Sequence, residues 1–230
     1  MKVFAIGDLH LPGNDDKPMN VFGPKWDGHF ERICDAWASS VSENDVVLIP
    51  GDISWAMHLE DAVDDINAVS KLSGRKIIMR GNHDYWWNSL SKIRELLPNG
   101  MFALQNDSVE IDGVSFCGSR GWICEGNAAF KQESDGKLYV REVARLEMSL
   151  KKAKDGQPIV GMMHFPPFNE KHQPTGFTEL FERFGVKHAV YAHLHGKSCK
   201  GAFEGERNGV TYTLCSADHL NFTPKFITEF

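Results

Sequence analysis

Apolar residues along this chain follow two rhythms, and the rhythms alternate. Residues 3–8, 46–52 and 76–84 each carry a short, mostly apolar and β-branched run that ends in glycine and then a short oxygen-bearing side chain: Gly7-Asp8, Gly51-Asp52 and Gly81-Asn82. Runs of this length and composition predict buried strands. A glycine at each exit permits the sharp turn that presents the next side chain. Between the runs the spacing becomes helical. Phe30, Ile33, Ala36 (or Trp37) and Ser40 predict a helix over 27–41. Leu59, Ala62, Val63, Ile66 and Val69 predict a second, with Gly74 just past its end as a cap. The succession strand, helix, strand, helix, strand implies parallel strands joined by right-handed crossovers.

The second half has a different texture. A short helix over 89–97 is stopped by Pro98, Asn99 and Gly100, and short strands follow over 101–104, 108–111 and 114–118. Asp112-Gly113 between the last two is a hairpin signal. Tyr139, Val143, Leu146 and Leu150 mark one face of a longer helix ending near Gly156. Strands over 158–164 and 187–192 close on His164 and on His193 and His195, and the tail from 201 predicts two or three strands with a hairpin at Asn208-Gly209. Residues 11–24 form a polar loop containing Pro and Gly. No Pro/Ser-rich linker or internal repeat interrupts the chain, so residues 1–230 are expected to form a single α/β domain. Its two sheets pack face to face, with helices on both outer surfaces.

Composition narrows the function classes. A hydrophobic fraction of 42% and a charged fraction of 24% are ordinary for a soluble globular protein, and 230 residues bury a core that needs no disulfides. The net charge of -6, with no basic block, argues against broad nucleic-acid or anionic-membrane binding. The 5 cysteines include no CxxC pair, and Cys117 and Cys215 sit inside apolar runs, where a thiol behaves as a small hydrophobe. A reducing compartment fits. The start lacks the pattern of a signal peptide, and no apolar run approaches the roughly 20 residues of a spanning helix. The expectation is a cytoplasmic protein without membrane association.

The strand exits carry the chemistry. Ligands of open α/β sheets gather beyond the carboxyl ends of the strands, so the oxygens of Asp8, Asp52 and Asn82 and the imidazoles of His164, His193 and His195 are expected to converge. His10 lies two residues after Asp8, and alternate residues of an extended segment point the same way. Seven ligands exceed what one ion takes, and two ions sharing one carboxylate account for them better. The mixed oxygen and imidazole set suits Mn, Fe or Zn.

In chain order, Asp8-Leu9-His10, Gly51-Asp52, Gly81-Asn82-His83-Asp84, His164 and His193-Leu194-His195 resemble the five motifs of the calcineurin-like metallophosphoesterase superfamily. The resemblance spans residues 8–195 and departs at Ala192, where the last motif usually begins with glycine. It implies a four-layer αββα sandwich. It implies one ion on Asp8, His10 and His195, a second on Asn82, His164 and His193, and Asp52 bridging them. The implied activity is hydrolysis of a phosphate mono- or diester by in-line attack of a hydroxide shared between ions about 3.5–4 Å apart. His83 then faces the substrate and assists the leaving group, and Asp84 is expected to orient that imidazole and keep it cationic. Arg120, at the exit of strand 114–118, is a candidate contact for the substrate phosphate, with a surface salt bridge as the equal alternative.

Other features read more plainly. His29, His58, His172, His188 and His219 are expected to be surface or satisfied core histidines, with His58 and His219 worth placing because each follows a motif strand. Trp86 and Trp87 read as packing residues rather than a base-stacking platform. Ile53-Ser54-Trp55 after the second motif differs from the Asp-Arg-Gly of protein Ser/Thr phosphatases, His10 from purple acid phosphatases, and His83 from lipid A precursor hydrolases. What remains resembles bacterial and archaeal phosphodiesterases and phosphohydrolases acting on a small phosphorylated substrate. A nuclease of the double-strand-break repair type is the alternative, expected to need a capping domain for which the residues after His195 are too few. A non-catalytic interaction module on this fold, as in the retromer coat subunit, is expected to have lost site residues that are intact here.

Overall fold

The computed structural model describes residues 1–13 and 19–230, so part of the loop expected over 11–24 lies outside the described residues. In chain order the elements are β1 (Lys2–Ala5), α1 (His29–Ser40), β2 (Val46–Ile49), α2 (Val63–Ser70), β3 (Arg75–Ile78), α3 (Leu90–Leu96), β4 (Met101–Ala103), β5 (Ser108–Ile111) and β6 (Val114–Ser119). Then come α4 (Gln132–Leu150), β7 (Ile159–Met163), α5 (Gly176–Arg183), β8 (His188–Tyr191), β9 (Gly205–Arg207), β10 (Val210–Leu214) and β11 (Lys225–Glu229). One sheet has the order β11-β1-β2-β3-β4 and the other β5-β6-β7-β8-β10-β9.

The strands are apolar on both faces because both faces are covered. Successive side chains of a strand point to opposite sides. In β2, Val46 and Leu48 join Val3, Ala5, Ile77, Phe116, Val160 and Val190 in a core between the sheets. Val47 and Ile49 point outward, onto a second core with Ile33 and Trp37 of α1, Ile66 and Val69 of α2 and Ile93 of α3. On the far side Cys117, Met163, Ala189 and Tyr191 pack on Tyr139, Leu146 and Leu150 of α4 and on Phe177, Leu180 and Phe181 of α5. The layers are therefore α, β, β, α. Of the two candidates in α1, Trp37 faces the core.

Three local details differ from the sequence reading. The helix expected from Leu59 opens with a 3-10 turn, and its α-helical part ends at Ser70. Gly74 (φ 85°) is not its cap but the turn into β3. Helix α5 was not anticipated, although its Phe177, Leu180 and Phe181 fall at helical spacing and Thr175 caps it reciprocally with Thr178. The tail forms three strands: β9 and β10 extend the second sheet, while β11 returns to pair antiparallel with β1. Both hairpin signals are turns with paired positive φ, 49° and 80° at Asp112-Gly113 and 51° and 81° at Asn208-Gly209.

Parallel pairing sets where function can sit. β1, β2, β3 and β4 run parallel, as do β6, β7, β8 and β10. Their carboxyl ends meet, because Gly7 N–H donates to Cys215 O (2.6 Å) and Ala217 N–H to Gly7 O (3.0 Å). Among the described residues no helix is long and apolar enough to cross a membrane.

Candidate metal centre

Each exit turn of the first sheet leans on its neighbour. Asp8 N–H donates to Gly51 O (3.0 Å) and His10 N–H to Asp52 O (2.9 Å). At Gly51 (φ 92°) an added Cβ would lie 2.6 Å from Gly81 Cα and 2.7 Å from His164 Nδ1, and at Gly81 it would lie 2.0 Å from Asp52 Oδ1. Side chains cannot fit where these turns cross, so glycine is required at both. From the second sheet, β7 leads into His164 and β8 into His193 and His195.

These turns bring all seven expected ligands together. Asp8, His10 and His195 offer ligand atoms within 4.8 Å of one another, and so do Asp8, Asp52 and His164. His164 Nε2 lies 2.6 Å from Asn82 Oδ1 and 3.2 Å from His193 Nδ1. Asp52 Oδ2 sits between the groups, 3.9 Å from His10 Nε2 and 3.7 Å from His164 Nε2. Asp8, His10, Asp52 and His193 all take positive φ (57°, 48°, 52° and 76°). For residues with a Cβ this conformation costs of order 1 kcal/mol or more each, and its concentration here marks a backbone held for a purpose.

The electrostatics are those of a site short of positive charge. Burial pushes the Asp8 carboxyl up to about 7, with His195 opposing and the Asp52 charge adding to the rise. Burial likewise raises Asp52. It holds His10 well below the ordinary imidazole value and takes His164 and His193 down to about 3. His195 moves the other way, because the Asp218, Asp8 and Asp52 carboxylates outweigh its burial. Neutral imidazoles beside buried carboxylates are relieved by a cation.

A divalent cation fits this donor set on two further observations. Asp8 Oδ1 is buried with no hydrogen-bond partner among the described residues. The Nδ1–H of neutral His164 donates to Pro50 O (2.9 Å), which turns the lone pair of Nε2 onto Asn82 Oδ1. Two acceptors face each other there with no proton between them.

The sequence profile of the family described as calcineurin-like phosphoesterase matches residues 1–197. The chain belongs to that family. Structures similar to this phosphoesterase include a protein of unknown function from Aquifex aeolicus, 15% identical, with 98% of this chain and 95% of that one covered and a TM-score of 0.52. A phosphopantetheinyl hydrolase from Mycobacterium tuberculosis is 14% identical, with 94% and 88% covered and a TM-score of 0.55. At these identities the likeness is one of fold. No curated protein matches the sequence. The family implies a metal-dependent hydrolase.

The phosphoesterase uses Asp84 differently from the sequence expectation. Its carboxylate is fully buried and does not orient His83. It accepts the N–H groups of Asp52 (2.9 Å) and Gly81 (2.7 Å) on Oδ2, and those of Ile53 (2.8 Å), Ser54 (3.2 Å) and Trp86 Nε1 (3.0 Å) on Oδ1. Burial raises its carboxyl, Asp52 adds to the rise and the donors resist. With every oxygen facing donors, an added proton has no acceptor, so Asp84 is ionised and ties the second exit turn to the third. The reason is local: the turn after His83, with Tyr85 N–H on His83 O (2.8 Å), sends adjacent side chains apart.

The His83 ring lies 4.5 Å from that of Trp55, which stacks on His10 at 4.9 Å, and its Nδ1 has no partner among the described residues. Its backbone N–H donates to Asp52 Oδ1 (2.8 Å). Beside it opens a cavity of about 410 Å³ walled by His10, Phe22, Trp26, Trp55, His83 and His195. Arg120 makes the ion pair of the alternative reading, but with a buried partner and not at the surface. Its side chain is 18% exposed, 4.0 Å from buried Glu142 and over the Trp122 ring.

Sequence reasoning missed Asp218, whose Oδ1 lies 2.9 Å from His195 Nδ1 and fixes which nitrogen faces Asp8. Its signal was the apolar run 210–215 before it, another strand exit of the same kind. The neighbouring His219 instead meets Glu204 (3.1 Å), His58 is exposed, and His29 is satisfied by Leu9 O (2.9 Å). Trp86 and Trp87 are buried packing residues.

Proposed function

We propose that the protein is a dinuclear-metal phosphoesterase acting on a phosphate mono- or diester of a small molecule. The observation that carries this reading is Asp52 Oδ2, less than 4 Å from an imidazole of each ligand group. Asp8, His10 and His195 would hold one ion, and Asn82, His164 and His193 the other, with Asp52 shared. The set of oxygens and imidazoles without thiolate suits Mn, Fe or Zn. Bound there, the ions supply Lewis acidity toward phosphoryl oxygens and activate water.

The remaining work falls to the chain. Trp55 holds the His83 imidazole beside the ligand group, where it protonates the leaving oxygen. The hydrogen bond from His83 N–H to Asp52 keeps that ring in register with the Asp52 carboxylate. The aromatic cavity beside His83 receives the apolar part of the substrate and keeps water from it.

The test is the His83→Ala variant, reconstituted with Mn and assayed on bis-p-nitrophenyl phosphate and p-nitrophenyl phosphate. The variant should keep its metal and lose about 10²–10⁴-fold in turnover. Loss of metal from the variant, or no turnover by the wild type with Mn, Fe or Zn, contradicts the reading. The preferred ester distinguishes phosphodiesterase from phosphomonoesterase.

A further inference from the structure

The edge that carries the ligands continues sideways beyond them. β4 lies outside β3 in one sheet, and β6 lies outside β7 in the other. Both run parallel to those neighbours, so their exits open on the same side as Asn82 and His164. Into this gap come Arg80 after β3, Arg120 after β6, and Arg141 and Arg145 from α4, lining a cavity of about 350 Å³. One carboxylate shares it. Glu142 Oε1 is 2.7 Å from Arg145, 3.7 Å from Arg141 and 4.0 Å from Arg120.

A structural ion-pair network to Glu142 takes in Arg145, Arg141 and Arg120, but three guanidinium groups then share one carboxylate, and Arg80 has no ion pair among the described residues. The Nε atoms of Arg80 and Arg120 are buried with no hydrogen-bond partner among the described residues. Leaving such donors unpaired costs free energy that an anion would recover. Guanidinium forks match the oxygens of a phosphoryl group. Burial holds the Arg120 guanidinium below its ordinary value; Glu142 opposes this, and Arg80, Arg141 and Arg145 add to it. In a chain of net charge -6 this is a local excess of positive charge.

We propose that the arginine-lined cavity is an anion subsite that takes a second phosphoryl group of the substrate, apart from the ester that is cleaved. The assignment rests on the phosphoesterase reading above. The segments that carry the two sites adjoin. Arg120 O accepts the N–H of His164 (3.2 Å), Arg80 is two residues from Asn82, and adjacent strands lie about 5 Å apart. A substrate carrying two phosphoryl groups would then reach the ligand group with one and the arginines with the other.

Two measurements test it on the full chain. In the first, inorganic phosphate is titrated calorimetrically into chelator-treated wild type, Arg80→Gln and the half-exposed Arg141→Gln, each checked for folding by circular dichroism. Wild type should bind phosphate, and each variant should bind about tenfold or more weakly. No binding by wild type, or equal binding by the variants, overturns the subsite.

In the second, the metal-loaded protein is given thymidine 5′-(4-nitrophenyl phosphate) with and without a 3′-phosphate. The 3′-phosphorylated ester should show a kcat/KM higher by about tenfold or more, and the ratio between the two esters should fall toward one in both variants. A ratio near one in wild type overturns the substrate assignment. If neither ester is cleaved with any metal, the phosphoesterase reading fails and takes the substrate assignment with it. Phosphate binding would then identify an anion site of another purpose.

Discussion

Replacing Asp84 by asparagine separates a carboxylate that builds the site from one that serves its chemistry. The carboxylate accepts two N–H groups on Oδ2 and three on Oδ1. An amide has one oxygen, so whichever way it sits, its NH2 faces at least two buried donors. Hydrogen bonds to a charged group are worth about 1.5–3 kcal/mol each, so losing two costs about 3–6 kcal/mol before any donor–donor repulsion. At 2–4 °C per kcal/mol for a chain of this size, the melting temperature should fall by roughly 6–24 °C. The assay is thermal and urea unfolding of chelator-treated wild type and Asp84→Asn, so that lost metal does not contribute to the difference. If Asp84 instead acted by holding His83 cationic, stability would stay intact and the pH–rate profile would shift. A change in melting temperature under about 2 °C, with such a profile, would refute the reasoning.

Asp218→Asn keeps the shape but not the charge behind His195, and metal affinity should fall about 10–100-fold by calorimetric titration; unchanged affinity would show that the carboxylate does not tune this ligand. Metal affinity should also rise between pH 6 and 8. Burial pushes the Asp8 carboxyl up to about 7 and the neighbouring carboxylates raise His195, so toward the acid end each holds a proton that the cation must displace. Each displaced proton contributes up to about tenfold per pH unit, and metal binding at pH 6 should release more protons into weak buffer than at pH 8. A flat affinity over that range would mean the two groups are already deprotonated.

The part of the site that was legible was written locally. An apolar run, a glycine and an oxygen-bearing residue encode a strand and its exit turn within a few residues. Gly51 and Gly81 stand where the turns leave no space for a Cβ. The layer order was legible for the same reason, since strands such as 46–49, apolar on both faces, need cover on both sides. The rest depends on long-range placement. Asp84 is adjacent to His83 in sequence, yet the turn between them sends its carboxylate into backbone donors of the second exit. Asp218 meets His195 beside a bridge between Gly7 and Ser216, from opposite ends of the chain. The arginine cavity takes one side chain from the exit of β3, one from the exit of β6 and two from a helix, and no spacing rule joins those positions. Helix α5 is only two turns long, and its Phe177, Leu180 and Phe181 are too few for the period to stand out in the sequence.

Counting metal in the purified protein bears most directly on the central claim. After reconstitution with Mn and removal of excess ion, elemental analysis of the wild type should find about two ions per chain. The Asp52→Asn variant, folded by circular dichroism, should find fewer and lose turnover. Less than one ion per chain in the wild type, or an undiminished count in Asp52→Asn, would contradict a pair of cations held across that carboxylate.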